Sequence, residues 1–190
     1  MANVRFLTLP GWQDSDPEHW QSLWEQRYGD LRVQQHDWLR PLRGDWITRL
    51  EDVVSEQTGS VVLVAHSLGC LLTAAWAAQS RQVARVRFAM LVAPPDPGSE
   101  PLRNAIHSWS PVVLQRLPFP SLVLASTNDV YCDAERARQY AHAWASDFVV
   151  LGAHGHINTA SGFGAWPEGR ALLQRALAKV DFPEVKDTHG

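Results

Sequence analysis

Cysteine is scarce: Cys70 and Cys132 are the only two in 190 residues. They are too few for a disulfide framework and are not spaced as a zinc motif, so reduced, intracellular thiols are expected. No run reaches about 18 apolar residues, which leaves no spanning helix and gives no reason to expect a membrane partner. The N-terminus lacks the basic start, long apolar stretch and small-residue cleavage site of a signal peptide, and the expected location is the cytoplasm. Neither sign of charge is in large excess, with 19% charged residues and a net charge of -3. Bulk electrostatics therefore offers nothing to nucleic acid or to an acidic membrane. Repeats, linkers and low-complexity blocks are also missing. The length suits one domain, residues 1–180, able to bury roughly 70% of its unfolded surface without metal or disulfides. Residues 181–190 carry no periodicity and are expected to fray.

What the chain does have is tryptophan, nine in all, most of them expected as core anchors because each buries a large area. Short β-prone runs are predicted as strands at 3–9, 31–36, 60–65, 86–92, 121–125 and 148–151. The second is mixed in polarity, which suits a sheet edge. Between them lie amphipathic helices: one capped by Asp16 with Pro17 at its first position and closed by Gly29, one ended by Gly59, and others near 70–79, 133–145 and 168–180. The Pro-, Ser- and Gly-rich connection from 94 to 120 carries one short helix near 102–108 and is a candidate pocket cover. Alternating strands and helices argue for an α/β fold, a parallel sheet covered on both faces. Ligands of such sheets bind at the carboxyl ends of the strands.

The run Ser60-Val-Val-Leu-Val-Ala-His-Ser-Leu-Gly69 organises the rest. A β-branched strand breaks at a serine flanked two residues away on each side by small residues, Ala65 and Gly69, and good helix formers follow. This is the order a nucleophile elbow requires, because a serine on so sharp a turn leaves no room for larger neighbours. Loops after later strands hold Asp129 and His156, and the chain order serine, acid, histidine is that of an α/β-hydrolase. A serine hydroxyl needs an imidazole to take its proton, and the imidazole needs a carboxylate to fix its tautomer. Asp129 could instead cap a helix or form a turn, and Asp96 is a rival acid. His154 competes with His156, though Gly155 permits an unusual backbone just before the latter. A metal site is not expected, since Asn158 stands where His-x-His-x-Asp-His would need aspartate. Two N–H groups must also face the developing oxyanion. Leu68 supplies one, and the loop after the first strand the other, through Trp12 or its neighbour Gln13.

The small size, Pro10-Gly-Trp12, Ala-His-Ser-Leu-Gly at the elbow, Asn128-Asp129, and Gly155-His-Ile-Asn-x-x-Ser-Gly-Phe-Gly-x-Trp-Pro167 resemble the RBBP9/YdeN family of small serine hydrolases. The resemblance covers residues 4–180. It implies a minimal α/β-hydrolase, a three-layer αβα sandwich of six parallel strands in the order 2-1-3-4-5-6 that lacks the first two strands of larger members, with Ser67, Asp129 and His156 as triad. The retinoblastoma-binding Leu-x-Cys-x-Glu of the vertebrate branch is absent, because Leu68-Gly-Cys-Leu-Leu72 has no glutamate. The expectation is a serine hydrolase, carboxylesterase-like, forming a Ser67 acyl-enzyme from a small ester, thioester or amide. No cofactor is implied. Trp12, the 94–118 connection, Phe163 and Trp166 are expected to line the substrate pocket. A binding protein that keeps the fold without turnover is the alternative.

Overall fold

A computed structural model describes residues 4–180. Residue 3 of the first predicted strand and the predicted fray of 181–190 lie outside the described residues. The strands are β1 (Val4–Leu9), β2 (Leu31–Arg32), β3 (Ser60–His66), β4 (Val86–Val92), β5 (Ser121–Ala125) and β6 (Asp147–Val150). All pair in parallel, in the order β2-β1-β3-β4-β5-β6. The helices are α1 (Trp20–Tyr28), α2 (Arg43–Glu56), α3 (Leu68–Ala77), α4 (Ala134–Trp144) and α5 (Pro167–Leu177).

Successive strand residues point to opposite faces, and the central strand β3 divides its side chains accordingly. Val61, Leu63 and Ala65 enter a core shared with α2, α3 and α4. Val62 and Val64 enter a second core with Trp20 and Trp24 of α1 and Leu173 of α5. Both faces of the sheet are therefore covered, which is why β3 and β4 read as continuous apolar runs and not as alternating ones. Six tryptophans, at 20, 24, 46, 76, 109 and 144, are fully buried.

Three elements differ from their sequence-based prediction. Helix α1 begins at Trp20, not at Asp16, and its N-cap is His19, whose side chain accepts from the Gln21 N–H. Asp16 is used one turn earlier, accepting from the Glu18 N–H at 2.9 Å. The second strand shrinks to two residues at the sheet edge. Its Arg32 turns away to pair with Asp14 and Glu25, both at 3.0 Å, and so ties the segment to the loop and helix before it. Helix α2 ends at Gln57, short of Gly59. The 94–120 connection holds turns and a single 3-10 turn at His107–Trp109. Leu102, Ile106 and Trp109 anchor it in the core. Among the described residues no helix is long and apolar enough to cross a membrane.

Candidate active site

Ser67 sits between β3 and α3 with φ 53° and ψ -123°, a strained conformation that lifts its side chain off the end of the sheet. The loop after β1 packs directly on it. A Cβ built on Gly11 would lie 2.7 Å from Ser67 Cβ, so glycine is required there for close approach. In that loop the Gln13 N–H is spent on Trp38 O at 3.0 Å, whereas among the described residues no acceptor pairs with the Trp12 N–H. Leu68 opens α3, where a backbone N–H has no acceptor within the helix.

The loops after β5 and β6 bring two more groups to the same place. His156 Nε2 is 2.9 Å from Ser67 Oγ, and His156 Nδ1 is 2.7 Å from Asp129 Oδ2. Asp129 also forms a turn, its Oδ1 accepting from the Tyr131 N–H at 2.9 Å, so one carboxylate both shapes its loop and faces His156. Asp96 is not at the site: it accepts from the Gly98 N–H and faces Arg136. His154 is not there either, its exposed ring meeting Phe163 edge-on.

The loop that carries His156 is strained and heavily fastened. Gly155 has φ 53° and Ile157, a β-branched residue, φ 50°; a Cβ on Gly155 would also strike Ser161 Oγ at 2.5 Å. Ser161 Oγ accepts from the His156 N–H and donates to Asn158 Oδ1. Across from it, Asn128 Oδ1 accepts from the Gly155 N–H, and Ser126 Oγ from the His154 N–H. The Gly-His-Ile-Asn-x-x-Ser motif thus builds the turn that presents His156.

Sequence reasoning missed three side chains. Tyr131 lies edge-on to the His156 ring, centroids 4.6 Å apart. His66 also packs against the His156 ring at 4.9 Å, and His19 packs on His66 at 4.7 Å. Burial holds the His19 imidazole down at about 4 and pushes His66 well below its usual value, so both rings are neutral near pH 7. The His19 Nε2 is buried without a hydrogen-bond partner. His66, next to Ser67 in the elbow, was the one with a visible signal. His19 and Tyr131 carried none beyond their nearness to site loops.

These groups border a cavity of about 620 Å³. Gln13, Asp14, Asp16, His19, Arg32 and Asn158 give its lining polar groups, and Trp12, Pro95, Leu102, Ile106 and Tyr131 give it apolar surface. Phe163 and Trp166, expected in the pocket, do not line it. Trp166 is 7% exposed and packs on Trp20 and Trp24 beneath α5, and Phe163 packs against Trp166 at 5.3 Å. Trp166 belongs to the core, and the half-buried Phe163 packs against it, because α5 must be sealed to the sheet and tryptophan does this with the largest area.

Fold and site together define an α/β-hydrolase. The chain belongs to the family described as serine hydrolase, whose model matches residues 6–175. It is similar in structure to a YdeN-like hydrolase from Pectobacterium atrosepticum, at 32% identity and TM-score 0.81, covering 93% of this chain and 91% of that one. The ydeN gene product of B. subtilis matches at 18% identity and TM-score 0.78, over 93% and 100% of the two chains. The carboxylesterase CesB of Bacillus subtilis, at 11% identity and TM-score 0.61 over 95% and 85%, shares the fold. No curated protein sequence matches.

Proposed function

We propose that the protein cleaves a small ester, thioester or amide through an acyl-enzyme on Ser67. The observation that carries this reading is the continuous hydrogen-bonded line from Asp129 to His156 to Ser67, at 2.7 and 2.9 Å, opening onto the cavity. His156 Nε2 takes the Ser67 hydroxyl proton as Oγ attacks the substrate carbonyl, and Asp129 holds the imidazole tautomer and stabilises the imidazolium. The Trp12 and Leu68 N–H groups receive the oxyanion, each donor being worth on the order of a hundredfold in rate. The tetrahedral intermediate collapses, the leaving group departs with the proton from His156, and Ser67 is left acylated. Water then attacks the acyl carbonyl as His156 takes its proton, the bond to Ser67 Oγ breaks to release the acid, and His156 returns the proton to Ser67 Oγ.

The mixed lining of the cavity supports a carboxylesterase-like preference, the side chains of Leu102, Ile106 and Pro95 taking a short acyl chain or leaving group. Labelling with a fluorophosphonate probe and hydrolysis of p-nitrophenyl acetate test the reading. Wild type should react with both, and Ser67→Ala with neither. A native protein inert to both would instead support binding without turnover.

A further inference from the structure

We infer that His66 is a positioning residue, a neutral hydrogen-bond donor that ties the peptide carrying the nucleophile to the peptide carrying the base. The inference rests on the proposed roles of Ser67 and His156. His66 ends β3 and immediately precedes Ser67, and its Nε2 lies 2.9 Å from the carbonyl oxygen of His156. A carbonyl only accepts, so Nε2 carries the proton and Nδ1 is bare. One side chain thus joins two residues 90 positions apart.

The bond falls where the backbone needs holding. Positive φ on both sides of His156, at Gly155 and at Ile157, strains the backbone there, most at the β-branched residue. Two side-chain donors secure the successive carbonyls of that turn: His66 holds His156 O, and Trp20 Nε1 holds Ile157 O at 2.9 Å. The His156 ring contacts both His66 and Tyr131, with Asp129 and Ser67 on its two nitrogens. His19 lies behind His66. A neutral His66 suits this place, because a charged ring would repel the imidazolium that His156 becomes during turnover.

If His66 served only as core filling, any ring of similar size would replace it. His66→Phe keeps the ring and removes the donor, whereas His66→Gln keeps an amide N–H of similar reach. With p-nitrophenyl acetate, His66→Phe is expected to lose about 10- to 100-fold in kcat with KM within about twofold, and His66→Gln to stay within about fivefold of wild type. Fluorophosphonate labelling should slow in parallel. The inference is overturned if His66→Phe keeps kcat within about threefold of wild type, if the two variants fall together, or if the loss lies in KM. Should His66→Phe fail to fold, His66→Asn takes its place, since its shorter amide cannot span to His156 O, and the same comparison with His66→Gln applies. A wild type that neither labels nor turns over removes the triad reading and this inference with it. An active wild type with an equally active His66→Phe removes this inference alone.

Discussion

His19 should make the protein acid-sensitive in a defined window. Burial holds its imidazole at about 4, against 6.5 for the ordinary group. As pH falls through 6.5 the unfolded chain takes up a proton that the folded protein refuses until about 4, so the unfolded state binds more protons and stability declines with falling pH. Each tenfold difference in proton affinity is worth about 1.4 kcal/mol, which puts the full effect near 3 kcal/mol and the part between pH 7 and pH 5 near 2 kcal/mol. The comparison protein is His19→Asn. Its side-chain oxygen can still accept from the Gln21 N–H, as a good N-cap does, but it does not titrate. Urea unfolding followed by tryptophan fluorescence at pH 7 and pH 5 gives the two losses. Asp30, whose carboxyl burial raises, is common to both proteins and cancels in the difference; His66 is held low first by its own burial, which both proteins share, with a smaller push from His19 that the substitution removes. Wild type should lose about 2 kcal/mol more than His19→Asn over that interval. Parallel losses would refute the argument, since His19 would then be protonated as readily folded as unfolded.

Asp129→Asn keeps the acceptor for the Tyr131 N–H but not the charge behind His156, and should lower kcat by about 10⁴ with the fold intact by circular dichroism. In Gly11→Ala the new Cβ would meet Ser67 Cβ at 2.7 Å, so the loop must retreat; kcat/KM should fall about 100-fold, checked by steady-state kinetics. Trp166→Ala should cost about 3–5 kcal/mol of stability in urea unfolding, while KM for small esters in the folded fraction stays unchanged. A rise in KM at undiminished stability would return Trp166 to the pocket.

Local sequence determined the elements whose signals are local. The apolar runs of β3, β4 and β5 read directly as strands, because a strand covered on both faces keeps its polar residues, such as Arg87 and Ser121, to its ends. The break at Ala65-His66-Ser67-Leu68-Gly69 marked the turn, since small residues around a serine answer a steric demand of a few bonds' reach. Gly155 likewise announced an unusual backbone beside His156. Where one local signal competed with another, the reading slipped: Asp16-Pro17 resembles a helix start, yet His19 makes the cap.

Tertiary structure decided what depends on groups far apart in the chain. Sheet order β2-β1-β3-β4-β5-β6 places the loops after β3, β5 and β6 side by side, and only then do Ser67 and His156, 89 residues apart, come within a hydrogen bond. The same packing buried Trp166 in the core, laid Phe163 against it and brought the rings of His19, His66 and His156 into successive contact. Nothing in the spacing of those residues distinguishes an aromatic that seals a helix from one that lines a cavity. Backbone preference is a property of a few neighbouring residues, whereas the partners of a side chain are chosen by how whole elements pack.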